Sequence, residues 1–205
     1  MNYENLRILF FGTICAVVAF IFLDHPLGTW LRQGPFSKDI RKMIDCGELF
    51  GHGTGFLVVA ALIYFLDQAN RRNIPRVVAC AFLSGMASVL MKMVVCRVRP
   101  RAFDFSCTID QTFMGWAWLY ERSSGYQSFP SAHTATAVGL AIALSWLYPQ
   151  GRKLFVFFAI WVAFQRMVCE AHYLSDTICG GTLGFLVGRT IIGRWRASGD
   201  QTPSA

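Results

Sequence analysis

Seven side chains stand out because their types and spacing suit one piece of chemistry: Lys92, Arg99, Ser131, His133, Arg166, His172 and Asp176. His172 and Asp176 are four residues apart, which makes them neighbours on a helix. There the carboxylate can accept a bond from one ring nitrogen, fix the tautomer and leave the other nitrogen free as a nucleophile. Lys92 and Arg99 are seven apart, two helical turns, and share a face until Pro100 ends the helix. Pro130-Ser131-Ala132-His133 opens an apolar run. Proline suits a helix start, and the unpaired amides of such a start are a ready anion site. Three cations, a helix N-terminus and two histidines, one beside an aspartate, describe a phosphate pocket.

The elements that must hold these residues are apolar. Of 205 residues, 54% are hydrophobic and 15% charged, below the roughly one quarter of soluble domains. The 18 Phe, 6 Trp and 6 Tyr exclude a disordered chain. The net charge of +7 does not mark a nucleic-acid binder, because the basic residues fall in the gaps between apolar runs instead of on one soluble face. Six apolar stretches (6–23, 49–66, 77–95, 131–148, 154–170 and 174–193) have the length of membrane spans, about 20 residues each. The expected fold is all-α: a polytopic membrane protein of six transmembrane helices in a compact bundle, one domain over 1–205. The first stretch runs uncharged from Ile8 to Leu23 without a following cleavage site, as a retained signal anchor does.

Two loops exceed simple turns. Residues 24–46 place Phe36, Ile40, Met43 and Ile44 at helical spacing among Lys38, Asp39, Arg41 and Lys42, a pattern for a short interfacial helix. Residues 96–130 carry Phe113, Trp116, Trp118 and Tyr120, an aromatic group suited to the membrane interface. Ordinary loops with incidental aromatics would read the same way. Gly47, Gly51 and Gly55, and again Gly180, Gly184 and Gly188, recur every four residues and predict close helix contacts.

Parity of the spans then makes an argument. The end of an odd span and the start of the next even one face the same side, so Lys92, Arg99, His133, Arg166, His172 and Asp176 converge on one membrane face. Both termini lie on the other side, with the loops near 67–76 and 149–153. The total count of basic residues does not orient the chain, but short basic loops at Arg71, Arg72, Arg76, Arg152 and Lys153 favour that side as cytoplasmic. The expected location is the plasma (inner) membrane, with the site on the non-cytoplasmic face.

Lys92-x6-Arg99-Pro100, Pro130-Ser131-x-His133 and Arg166-x5-His172-x3-Asp176 resemble, in order and at span edges, the three-part signature of the phosphatidic acid phosphatase type 2 superfamily. The resemblance covers residues 92–176. It implies that His172 attacks phosphorus to form a phosphohistidine, that Asp176 orients it, and that His133 protonates the leaving oxygen and later activates water. It also implies that Lys92, Arg99, Ser131 and Arg166 bind the phosphate, with no metal and no other cofactor. Ala132 stands where that family often has glycine, and Gln165 where it usually has serine; neither removes a catalytic group.

Taken singly, each member has a plainer reading: Lys92 as a lysine snorkelling to the headgroups, His133 as a hydrogen-bonded histidine between helices. The constellation outweighs them. The expected activity is hydrolysis of a lipid phosphate monoester or diphosphate: phosphatidate, phosphatidylglycerol phosphate, polyprenyl diphosphate or a lipid A phosphate. The alternatives are transfer of the phosphoryl group to an acceptor lipid, or a membrane anion transporter with the same cationic pocket. The expected partners are substrate and membrane lipids, with no nucleic acid; oligomeric state is open. His25 and His52, near Asp24 and Glu48, suit headgroup contact better than a metal site. Among seven cysteines, Cys96 and Cys107 flank the long loop and form a candidate disulfide.

Overall fold

The computed structural model describes residues 3–116 and 123–197. Each of the six apolar stretches is helical: α1 (Tyr3–Phe22), α4 (Glu48–Gly51) with α5 (Gly53–Leu66), α6 (Ile74–Lys92), α7 (Ala132–Leu147), α8 (Arg152–Val168) and α9 (Leu174–Ala197). Between the first two stretches lie α2 (Asp24–Arg32) and α3 (Lys38–Asp45). The expected single interfacial helix is therefore two. Ser37 caps the second by accepting from the Ile40 amide at 3.4 Å, and Ile44 is buried against Leu31 and Val168.

The chain is mostly helical but not all-α. Val95–Arg97 (β1) and Phe113–Trp116 (β2) pair antiparallel, with Val95 opposite Trp116 and Arg97 opposite Phe113 across an irregular register. The physical reason is local: α6 ends at Lys92, and the Val-rich segment behind it suits a pleated strand better than a helix. Lys92 and Arg99 therefore do not share a helical face as expected. Cys96 is buried in β1 with its thiol facing the Tyr126 carbonyl, and Cys96 and Cys107 are both free, so the expected disulfide is absent. Phe113 and Trp116 are exposed as an interface pair would be. Trp118, Tyr120, the side chain of Arg196 and the tail 199–205 lie outside the described residues.

α7 is the centre. Its sequence is small and apolar all round, so it is buried on nearly every face, and α6, α8 and α9 pack against it. The glycine stripe of α9 makes that contact close. A Cβ at Gly180 would stand 2.3 Å from the Ser131 carbonyl oxygen, and one at Gly184 2.4 Å from that of Ala135. Gly51 meets the His133 carbonyl in the same way, at 2.7 Å.

The outer surface is apolar. α1 buries only Ala16 and Ala19, while Phe10, Phe11, Leu57, Phe65, Leu90, Phe157 and Ile160 are exposed. So much exposed apolar side chain belongs in lipid. By length and composition, Tyr3–Phe22 and Gln68–Lys92 are able to cross a membrane, and Lys38–Gly51 with Gly53–Leu66, bent by 68°, make a third candidate.

Candidate active site

The ends of α6 and α8 and the starts of α7 and α9 meet, as the parity argument requires, and the loops between them complete the cluster. The chain reverses after α8 at Glu170, the one described non-glycine residue with positive φ (51°). Arg32 and Arg101 hold that turn, through the Glu170 carboxylate at 3.1 Å and its carbonyl at 3.1 Å. The reversal lets the Arg166 carbonyl accept from both the Ala171 and His172 amides, at 3.2 and 3.1 Å. The five-residue gap between Arg166 and His172 is thus one tight turn.

His172 Nδ1 lies 2.6 Å from the carbonyl oxygen of Ser128. A carbonyl only accepts, so Nδ1 carries the proton and the Nε2 lone pair is free. Here the structure corrects the expectation for Asp176. His172 precedes α9, and its Nδ1 is 3.8 Å from the Asp176 carboxylate, beyond a hydrogen bond. Asp176 instead accepts from Ser128 Oγ at 2.6 Å, from the Tyr173 amide at 2.9 Å and from the Arg97 guanidinium. Burial pushes the His172 imidazole down to about 3, with the Asp176 charge opposing and the Lys92 charge adding to the effect.

The expected cations are all at hand. Lys92 Nζ donates to the Gln127 carbonyl at 2.6 Å, and Arg99 reaches the same oxygen at 3.4 Å. Arg166 donates to Glu48 Oε1 at 2.6 Å, and His133 Nε2 lies 3.5 Å from the same carboxylate oxygen. Lys92 interacts electrostatically with Arg99, Arg166 and Asp176, and His133 with Arg166 and Lys92, so the cluster is one. Arg99 Nε and Arg166 Nε are buried without a hydrogen-bond partner. The two guanidinium groups interact electrostatically, and their orphaned donors fit an anion with several acceptor oxygens. Among the described residues, no group of three or more His, Cys, Asp or Glu could hold a metal ion.

Ser131 is in the cluster in a different capacity. Its hydroxyl caps α7, accepting from Thr134 Oγ1 at 2.9 Å and from the Thr134 amide at 3.4 Å, and it is fully buried. Its own amide donates to the Asp176 carbonyl at 3.0 Å, tying the start of α7 to the start of α9.

The two histidines have different surroundings. The side chains of His172 and Asp176 are 2% and 0% exposed, those of His133 and Glu48 29% and 42%. Beside His133 an apolar cleft of about 310 Å³ opens between α5 and α6, lined by Gly51, His52, Phe82, Gly85 and Met86. His52 caps α5 and stacks obliquely on His133, ring centroids 5.8 Å apart. His25 Nε2 hydrogen-bonds to the Phe105 carbonyl at 3.1 Å.

Sequence reasoning missed Arg97, Ser128, Ser175 and the structural use of Asp24 and Glu48. Arg97 ends β1, and its burial is readable only once that strand is known. Asp24, a carboxylate at the end of an uncharged apolar run, was visible on the right face but had no evident partner.

A model of the PAP2 superfamily matches residues 74–198. The chain is 27% identical over 195 residues to lipid A 1-phosphatases of Rhizobium johnstonii and Rhizobium etli, covering 85% of this chain and 74% and 78% of theirs. It is 29% identical over 140 residues to a decaprenylphosphoryl-5-phosphoribose phosphatase of Mycolicibacterium smegmatis, 68% of each chain. Among solved structures, Aquifex aeolicus LpxE superposes with a TM-score of 0.60 over 83% of this chain and 95% of its own. A PAP2-type phosphatidylglycerolphosphate phosphatase from Bacillus subtilis reaches 0.64 over 96% and 98%. Both are 15% identical to this chain and speak to fold alone. The family match, covering more than half the chain, and the cationic histidine site lead to one conclusion: the chain belongs to the PAP2 superfamily, and it is a phosphoric ester hydrolase of the membrane lipid phosphatase branch.

Proposed function

We propose that this protein hydrolyses a lipid phosphate through a phosphohistidine on His172, with a lipid A-type phosphate as the first candidate substrate. The observation that carries the mechanism is the free Nε2 of a buried, neutral His172 in one electrostatic cluster with Lys92 and Arg99, whose Nε is orphaned. The Nε2 lone pair forms a bond to phosphorus as the bond to the lipid oxygen breaks. His133, in its proton-donor form, gives that oxygen its proton. Water then attacks phosphorus, His133 takes the proton, the P–N bond breaks, and inorganic phosphate leaves. Lys92, Arg99 and Arg166 neutralise the phosphoryl oxygens as charge builds in the transition state. Asp176 holds the frame of His172, and Ser131 fixes the start of α7. No step requires a metal.

The apolar cleft between α5 and α6 supports a lipid leaving group, since it opens beside the histidine assigned to protonate the leaving oxygen. The lipid A assignment rests on the two Rhizobium relatives. The reading takes the six apolar helices as six crossings of the plasma (inner) membrane in one domain. The basic loops at 71–76 and 152–153 support cytoplasmic termini and a site on the opposite face.

The test is phosphate release by purified, detergent-solubilised protein from lipid A, phosphatidate, phosphatidylglycerol phosphate and polyprenyl diphosphate, with and without EDTA, beside His172→Ala and His133→Ala. EDTA-resistant release abolished by His172→Ala, best with lipid A, is the expected result. Release that survives His172→Ala removes the proposed nucleophile. A different best lipid changes the substrate and leaves the mechanism.

A further inference from the structure

Arg97 is the most deeply buried cation among the described residues, fully enclosed, and it lies between two fully buried carboxylates. One terminal nitrogen donates to Asp24 at 2.8 Å; the other donates to Asp176 and, at 2.8 Å, to Ser175 Oγ. Its Nε donates to Thr112 Oγ1 at 3.2 Å. Three rings, Phe20, Phe113 and Tyr173, enclose the guanidinium with centroids 5.3, 4.6 and 4.2 Å away. Asp24 is itself pinned by the Ser175 amide at 3.0 Å and by the Ser175 hydroxyl. A cation so placed touches no solvent, and four of its five N–H donors are already committed within the protein.

Its bonds nevertheless close on the nucleophile. The Arg97 side chain holds Asp176; Asp176 accepts from Ser128 Oγ at 2.6 Å; the Ser128 amide returns to the Arg97 carbonyl at 3.0 Å. The remaining polar group of Ser128, its carbonyl, takes the Nδ1 proton of His172 at 2.6 Å. Ser128 is therefore gripped at both its amide and its hydroxyl by Arg97 and by the carboxylate that Arg97 fixes, and its carbonyl has one direction available. We propose that Arg97, backed by Asp24, is a positioning residue of the phosphatase reaction: it locks the Asp176–Ser128 frame that keeps His172 in the Nδ1–H tautomer with Nε2 presented to phosphorus. This rests on His172 being the nucleophile. A guanidinium is needed for the task, because a planar fork reaches two carboxylates on different elements at once, whereas an ammonium is a single point charge.

The experiment uses the full chain in detergent micelles or nanodiscs, labelled with 15N-histidine; the chain has four histidines, and His172→Ala assigns the relevant signals. In the unmutated protein His172 shows one neutral form with the proton on Nδ1. In Arg97→Lys, and more mildly in Asp24→Asn, that form gives way to a tautomer mixture. In Arg97→Lys kcat falls about tenfold or more, with KM within about threefold. The double substitution Arg97→Gln with Asp24→Asn keeps the net charge of the trio with Asp176, and is the fallback if Arg97→Lys does not fold; it too loses the single tautomer and kcat. A proton on Nε2 in the unmutated protein overturns the proposal whatever the variants do. So does a folded Arg97→Lys with unchanged kcat, or one whose loss lies wholly in KM. Phosphate release that survives His172→Ala overturns the nucleophile assignment instead, and leaves the tautomer result to be read separately.

Discussion

The two halves of the site are built on opposite principles. Around His172 everything is closed: the imidazole, Asp176, Arg97, Ser128 and Ser175 are buried and bonded to one another. Around His133 things are open: Glu48 is part-exposed and shared between Arg166 and His133, and an apolar cleft begins at the ring. The difference suits the roles proposed for the two histidines. A nucleophile needs one tautomer and one direction, which a dry hydrogen-bonded frame supplies. A general acid and base must exchange protons with the leaving group and then with water, so it must stay reachable.

Four substitutions and titrations can break or sharpen this contrast. The largest effect belongs to the closed half: His172→Ala lowers phosphate release by about four orders of magnitude or more, because the covalent route is lost. Steady-state assays on the lipid panel measure it. His133→Gln on the open half costs about 10²- to 10⁴-fold, and a substrate with a good leaving group recovers part of the loss, since less protonation is needed. Equal insensitivity of both variants to leaving-group acidity would erase the division of labour. Glu48→Gln is milder, on the order of tenfold, roughly 1.4 kcal/mol, and falls mainly on the step in which His133 moves a proton. The smallest effect is a titration that does nothing. His172, pushed down to about 3, keeps its neutral 15N signature from about pH 8 to about pH 5. The sign for stability follows from linkage. The unfolded imidazole protonates near an ordinary value of about 6.5 while the folded one stays neutral, so this group's contribution is intact above about pH 6.5 and is lost as pH falls toward about 3.

The open half was the more legible in sequence. Apolar stretches mark all six long helices, and placement at their ends brings Lys92, Arg166 and His133, with His172 alongside, to one end of the bundle. Glycine spacing foretells close helix contacts but not their partners, which the structure gives as α7 for the stripe of α9. The closed half depends on long-range pairing: Asp24 meets Arg97 from 73 residues away, and Ser128 meets Asp176 from 48. No local pattern encodes such a meeting. The Asp176 assignment shows the limit of spacing. Four residues apart implied a shared helix turn, but the helix begins at Leu174, and a backbone carbonyl took the bond expected of the carboxylate.

The glycine seam between α7 and α9 has a mechanical side. Where Gly180 and Gly184 let backbone touch backbone, no side chains stand between the helices to compress or slide. Ser131 of one and Asp176 of the other are joined by a main-chain hydrogen bond on top of it. Those two helices, and the nucleophile frame with them, therefore respond to lateral pressure as a single beam. α5, bent by 68° from the helix pair before it at His52, has a joint instead. The cleft beside His133 lies next to that bend, whereas the frame around His172 is built on the seam, so the two halves of the site rest on differently joined helices.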